Sequence, residues 1–263
     1  MGRAARPMGM RFPMILALLA MSLATAANAA ECTARSGPNT AVLVELYTSE
    51  GCDSCPPADK WMSAFTSHAS PLVVPIAFHV DYWDYLGWKD VYAEPRYTRR
   101  QQELGRVSGA RSIFTPQVVL SGRDFAWRSV TFSKAFEAVQ LKPARANLEI
   151  TSEGPSSAHV RATLAPGVRT GDLVVHVATT QNGLVSDVKA GENKGETLHH
   201  DFVVRDLATE RRWSDGNAPS IDARVEFTPR KDWKPERMNV VAFVQDTYSG
   251  EVLQALSAPV CTR

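Results

Sequence analysis

The chain has 263 residues, 44% hydrophobic and 22% charged, a balance that fits one large or two modest globular domains and excludes a disordered or fibrous chain. Its 29 Lys and Arg stand against 28 Asp and Glu, so no basic surplus points to nucleic acid or anionic lipid as a partner.

The N-terminus reads as a targeting segment. Arg3, Arg6 and Arg11 precede the apolar run Met14 to Leu23, and Ala27-Asn28-Ala29 offers a small-x-small cleavage site. Residues 1–29 are therefore expected to be a secretory signal peptide, the alternative being a retained N-terminal anchor. Cleavage removes three Arg and no acid, leaving 26 basic against 28 acidic residues and a charge of −2. No other stretch is long enough to cross a bilayer. The expectation is an exported protein, periplasmic or secreted, with no membrane span after cleavage. Export puts the four cysteines in an oxidising compartment, where three pairings are open to them. The closeness of Cys52 and Cys55 favours that pair and leaves Cys32 for Cys261, a structural disulfide joining the two ends.

Thr33 to Asn39 reads as a loop, and Val42 to Thr48 as the first strand. Ser49-Glu50-Gly51 then turns the chain into Cys52-Asp53-Ser54-Cys55. A strand feeding two cysteines at this spacing into a helix start is the pattern of a redox pair, in which one thiol attacks and the other displaces the partner. N–H groups at a helix start favour a thiolate. Cys52 is expected at the exposed lip as nucleophile, and Cys55, covered by its helix, as resolving thiol. The alternatives are a plain structural disulfide or half a zinc site. Zinc needs two more ligands at suitable spacing, and there is no second Cys-x-x-Cys. Neither a metal nor another cofactor is expected. Pro56 and Pro57 fit only in a first turn, which sets the N-cap at Ser54 or Cys55 and the helix over Pro56 to Phe65.

Leu72 to Val80 is a second strand, parallel to the first if a right-handed β-α-β unit joins them. Both would end at the same sheet edge, so Asp81 to Asp90 lies on the Cys52 side. That loop carries Tyr82, Trp83, Tyr85 and Trp88, an aromatic wall for a substrate groove or the packed base of an insertion. His79 reads as a core histidine or a base. A polar helix follows over about Glu94 to Leu104, with Arg96, Arg99 and Arg100 expected on a solvated face. Thr115-Pro116 enters a strand through Leu120, a short strand covers Phe125 to Trp127, and Phe132 to Leu141 is a helix.

Residues 42 to about 142 resemble a thioredoxin fold, with Cys52-Asp53-Ser54-Cys55 in the place of the active-site motif. Thr115-Pro116 matches the loop where that family carries a cis-proline facing the disulfide. The resemblance implies a cis bond there, with Thr115 and Pro116 holding an extended partner; a trans proline opening a strand is the alternative. The 64 residues from Cys52 to Pro116 exceed a minimal thioredoxin and imply an insertion carrying the aromatic loop. Asp53-Ser54 departs from the Gly-Pro of thioredoxin proper, and an acid beside the attacking thiol disfavours its thiolate. More narrowly, Glu45 to Cys52, Phe78 to Asp84, Phe114-Thr115-Pro116-Gln117 and Gly191-Glu192-Asn193-Lys194-Gly195 together resemble a secreted thioredoxin-like bacterial family known as domain of unknown function 1223. That name carries no activity.

Beyond Lys142-Pro143 the pattern becomes alternating strands: His159 to Leu164, Leu173 to Ala178, Leu184 to Val188, Phe202 to Leu207, Ala223 to Phe227, Met238 to Val244 and Val252 to Leu256. Turn pairs such as Pro166-Gly167 and Asn182-Gly183 separate them. Gly191 to Gly195 and then His199-His200-Asp201 read as a long hairpin loop followed by a strand, the alternative being a metal or proton-transfer site reaching toward the cysteines; adjacent strand histidines face opposite ways and cannot both readily bind one metal. The expected fold is an α/β thioredoxin-like domain over residues 30–143, followed by an all-β antiparallel sandwich over 144–263. The expected function is thiol–disulfide exchange with an extracytoplasmic protein or peptide. Cys52 and Cys55 would carry the chemistry, and Thr115, Pro116, Tyr82, Trp83 and Trp88 would hold the partner. The other class is a binding or assembly module with a permanent Cys52–Cys55 disulfide.

Overall fold

The computed structural model describes residues 1–2, 32–67, 70–129, 132–208, 211–213 and 218–262. The signal peptide expected over residues 1–29 lies outside them from residue 3 onward.

The first half runs β1 (Thr33–Arg35), β2 (Val42–Thr48), α1 (Pro56–Ser63), β3 (Val73–His79), α2 (Pro95–Ser108), β4 (Gln117–Leu120), β5 (Arg123–Phe125) and α3 (Phe132–Gln140). The second half adds β6 (Ala146–Ser152), β7 (Ser157–Leu164), β8 (Leu173–Gln181), β9 (Leu184–Asp187), β10 (Thr197–His200) and β11 (Val203–Leu207). It closes with β12 (Arg211–Arg212), β13 (Ser220–Glu226), β14 (Met238–Asp246) and β15 (Val252–Pro259).

Seven residues of β2 are fully buried because the strand is covered on both faces. Val42, Val44 and Leu46 point to a core closed by Ala58 and Met62 of α1 and Phe136 of α3. Leu43 and Tyr47 point the other way, to a core that takes in Phe78 and Tyr97. Glu45 shares that second face and is matched by Arg100 of α2, whose Nη2 lies 2.8 Å from Glu45 Oε2. The arginines expected on a solvated helix face are thus not all there. Arg100 is buried, and its guanidinium lies over the rings of Phe78 and Phe243 at 5.5 and 5.0 Å.

The expected two-part fold is corrected by the strand order. The large sheet is nine-stranded, in the order β15-β14-β8-β11-β3-β2-β4-β5, with β12 beside β8. Strands from both halves therefore form one mixed sheet, and the molecule is β-rich with three α-helices among the described residues. Neither a thioredoxin-like α/β domain nor a separate antiparallel sandwich is formed. The junction is β11, parallel to β3 at Val203 and Ala77 and antiparallel to β8. A buried strand with an unpaired edge invites another strand, and β11 supplies it. Pro75 tolerates the arrangement. Its missing N–H lies on the same side as that of Ala77, whose N–H reaches Phe202 O, and the β11 ladder does not extend to it. One core accordingly spans both halves, joining Leu43 and Phe78 to Val204, Val241 and Phe243.

On its other face, the β8, β14 and β15 region packs against the four-stranded antiparallel sheet β1-β6-β7-β13. That sheet is one-sided. Leu148, Ile150, Val160 and Val225 point into the core, while Glu149, Arg161, Asp222 and Arg224 form ion pairs on the outside. A disulfide joins Cys32 to Cys261 with Cα atoms 5.5 Å apart, tying the strand that precedes β2 to the end of β15.

Candidate functional site

The Cys52–Cys55 disulfide stands at the opening of α1, with its Cα atoms 5.4 Å apart. Cys55 is the N-cap, Pro56 and Pro57 fill the first turn, and the N–H groups of Ala58 and Asp59 both reach Cys55 O. Cys52 Sγ lies 3.4 Å from Ser54 Oγ. The expectation of an exposed Cys52 is not met: both cysteines have 0% exposure, while Asp53 and Ser54 face solvent.

Two clamps hold the turn from outside α1. Glu192 accepts the Asp53 N–H at 3.0 Å. The buried Asn193 amide donates to Glu50 O and to Cys52 O, each at 2.9 Å. Both residues belong to the loop between β9 and β10, so the Gly191 to Gly195 stretch is bonded to the backbone of the turn that carries the disulfide. Gly51 allows a third contact, since a Cβ there would lie 2.9 Å from Trp83 Cβ.

Behind the disulfide lies a polar interior. His79, at the end of β3, holds Asp90 through Nδ1 at 2.7 Å. Asp90 also accepts the N–H of Glu50 and of Tyr92, each at 2.9 Å. Burial raises the Asp90 carboxyl, but the His79 imidazole and the amide donors outweigh it and leave the pKa below its ordinary value. Burial likewise lowers His79, but Asp90 outweighs it and leaves the imidazole above its ordinary range. Asp59 stands one helical turn after Cys55. Burial lifts its carboxyl above the ordinary range, against the pull of His200 and His79. His200, from β10, lies 3.4 Å from Glu50 and 4.0 Å from Asp59, and its ring meets that of His79 edge-on at 4.8 Å. Glu50 Oε1, His79 Nε2 and both His200 nitrogens have no hydrogen-bond partner among the described residues. His199, its neighbour, is exposed.

The aromatic loop frames this site unevenly. Trp83 Nε1 donates to Thr115 Oγ1 at 2.7 Å, and Trp88 Nε1 to Glu50 Oε2 at 2.7 Å. Tyr82 bonds Gln101 on α2, and Tyr85 is 79% exposed. The Thr115–Pro116 bond is cis. Beside it a cleft of about 380 Å³ is lined by Ser54, Phe114, Pro116, Phe125 and Trp127. The structure therefore brings Cys52, Cys55, Thr115, Pro116, Trp83 and Trp88 around one turn. Cys32 and Cys261 lie elsewhere.

Sequence reasoning missed Glu50, Asp59 and Asp90; it singled out the loop of Glu192 and Asn193 but gave neither residue a role at the turn. Asp59 had a signal in its four-residue spacing from Cys55, and Asn193 in its place within a Gly-bounded loop. Asp90 had none, because its partner lies on a different element.

The fold and site define a β-rich protein with a covered disulfide at a helix start, backed by buried carboxylates and imidazoles. The chain belongs to the family described as protein of unknown function (DUF1223), which matches residues 43–245. Its fold is similar to a protein of Agrobacterium tumefaciens solved as a structural-genomics target, with a TM-score of 0.63 and 24% identity over 87% of this chain and 98% of that one. It is also similar to HBP35 of Porphyromonas gingivalis, with a TM-score of 0.63 and 14% identity over 86% of this chain and 76% of that one. At such identities the likeness is one of fold alone. No curated protein matches the chain. No helix among the described residues is long and apolar enough to cross a membrane.

Proposed function

We propose that this protein exchanges disulfides with an extracytoplasmic protein or peptide, with Cys52 as the attacked sulfur and Cys55 as its resolving partner. The observation that carries this reading is the disulfide at the α1 opening, flanked by a cleft that runs from Ser54 to the cis Thr115–Pro116 peptide. A partner thiolate attacks Cys52 Sγ. The Cys52–Cys55 bond breaks, and Cys55 departs with the electron pair as a thiolate, then takes a proton. The partner's second thiolate attacks its own sulfur in the mixed disulfide and expels Cys52, which is protonated in turn. The partner loses two electrons and the cysteine pair gains them; the reverse exchange uses the same bonds. The first turn of α1 offers no free N–H to a Cys55 thiolate, since Pro56 and Pro57 have none and those of Ala58 and Asp59 bond Cys55 O, so only the aligned peptide dipoles of the helix favour it. Thr115 and Pro116 seat the partner, Trp83 braces them, and Tyr82 and Trp88 fix the surrounding loop. Two disulfides and the N-terminal targeting pattern support a place outside the cytoplasm.

A second reading is favoured by one observation, the complete burial of both cysteines. In it, Cys52–Cys55 is a permanent brace and the protein is a binding or assembly module. The Cys55→Ser variant, expressed in its native compartment, separates the two. Exchange predicts adducts that reductant removes, trapped on Cys52 and absent from Cys52→Ser. It also predicts a reduction potential between about −120 and −270 mV, whereas a structural bond lies below about −300 mV. No adduct together with the lower potential would leave only the binding-module reading.

A further inference from the structure

We propose that the β9–β10 hairpin is a clasp that closes the Cys52–Cys55 disulfide, so that a thiol reaches it only when the Gly191 to Gly195 loop lifts. The hairpin holds the turn on two sides. Outside, Asn193 donates to Glu50 O and Cys52 O, and Glu192 accepts the Asp53 N–H. Inside, His200 at the far end of β10 lies at ion-pair distance from Glu50, the residue whose carbonyl Asn193 holds. Both sulfur-bearing residues are wholly covered, although their neighbours Asp53 and Ser54 are exposed.

The loop is built to act as one piece. Lys194 N–H reaches Gly191 O, Gly195 N–H reaches Val188 O, and Glu196 N–H reaches Asn193 O. Gly191 and Gly195 take left-handed φ values of 74° and 95°, and a Cβ on Gly191 would lie 3.3 Å from Trp88 Cβ. Below the loop, β9 and β10 pair only with each other among the described residues, so the hairpin stands off the nine-stranded sheet. It can lift without breaking that sheet's ladder. Asn193 and Glu192 are positioning residues here, acting on the disulfide through the backbone of the turn. The clasp rests on the exchange reading for its purpose, but access to a small reductant follows from its geometry alone.

The test measures how fast dithiothreitol reduces each disulfide of the intact protein, by alkylation and peptide mapping of Cys52/Cys55 and of Cys32/Cys261. Asn193→Ala, which deletes two hydrogen bonds to a buried turn, is expected to speed reduction of Cys52–Cys55 about tenfold and leave Cys32–Cys261 unchanged. Glu192→Ala is expected to give about threefold, and Glu192→Gln close to the wild-type rate, because an amide oxygen still accepts the Asp53 N–H. Glu192 is exposed, so that pair remains informative if Asn193→Ala does not fold. Wild-type rates in Asn193→Ala and Glu192→Ala would overturn the clasp. So would equal acceleration of both disulfides, which marks general loosening. Failure of the Cys55→Ser trap would sink exchange and leave these rates untouched; unchanged rates would sink the clasp and leave the trap untouched.

Discussion

The two faces of this molecule bury side chains equally well and with opposite chemistry. Between the four-stranded sheet and β8, β14 and β15, the core is apolar throughout, from Leu148 and Ile150 to Val240 and Trp213. Beneath Cys52–Cys55 the interior holds Glu50, Asp59, His79, Asp90 and His200, each no more than 7% exposed. Replacing a buried ion pair by apolar residues of similar volume is often neutral or stabilising, so stability alone does not call for the second arrangement. The first shows that the same chain builds the cheaper one where nothing else is required. A third region lies between these extremes. Glu45 is held by Arg100 and by the Tyr47 hydroxyl, and Arg100 also reaches Gln245. That set joins β2 to β14 and reads as a structural link between the halves.

The comparison predicts where damage should be felt. The largest effect belongs to the apolar end. Cys32→Ala/Cys261→Ala removes a closed loop of 229 residues and should cost up to about 5 kcal/mol in urea denaturation, with the reducibility of Cys52–Cys55 unchanged. A change in that reducibility would show that the two ends are coupled. Asp90→Ala should cost about 4 kcal/mol, because it strands a buried imidazole together with the amides of Glu50 and Tyr92. It should also speed reduction of Cys52–Cys55, since Glu50 lies inside the turn. Ile150→Ala should cost about 3 kcal/mol as a cavity in the apolar core and leave that rate alone. If Ile150→Ala and Asp90→Ala shift the rate alike, the polar interior has no special tie to the disulfide.

Much of the first half was legible because its signals are local. The buried run Val42 to Thr48, the proline pair that sets Cys55 as N-cap, and the order of helices and strands from Val42 through Gln140 follow from spacing within a few residues, whereas Thr33 to Arg35, read as loop, is a strand made by its pairing with β6. Strand pairing was not local. Leu173 to Ala178, apolar but for His176, and Val240 to Val244, apolar throughout, carry the mark of strands covered on both faces, yet nothing in them says whose edge they join. Reading them as a separate sandwich followed from the alternation in Ala223 to Phe227, which does belong to a one-sided sheet. The site divided in the same way. The cysteine pair and Thr115-Pro116 announce themselves by motif, whereas Asp90, Asn193 and His200 matter only through partners 11 to 150 residues away. Arg100 was misplaced for that reason too: a charge on a polar helix looks solvated until Glu45 is seen opposite.

The smallest expected effect is also the most specific to the polar interior, and it is a dependence on pH. His79 has a raised pKa in the folded protein, so the folded state holds its proton more tightly than the unfolded chain does. Its contribution is fully present below the unfolded value of about 6.5 and is lost as pH rises through the folded value. Asp90 has a lowered pKa, so its contribution is present above the unfolded value of about 3.9 and is lost as pH falls through the folded one. Together the pair stabilises the fold most between about pH 4 and 6.5. Asp59, raised by burial, adds a loss with rising pH that begins lower, near its unfolded value of about 3.9. The His79 loss begins only above about 6.5, so the alkaline side is where it is sought, with His79→Gln separating it from that of Asp59. Urea midpoints measured from about pH 6 to 9 should fall in the wild type and stay flatter in His79→Gln, which keeps a hydrogen-bond donor for Asp90 without the titrating ring. Ile150→Ala, at the apolar end, should lower every midpoint and leave the wild-type slope intact. An unchanged slope in His79→Gln would assign the alkaline loss to another group and remove His79 from the charged interior beneath the disulfide.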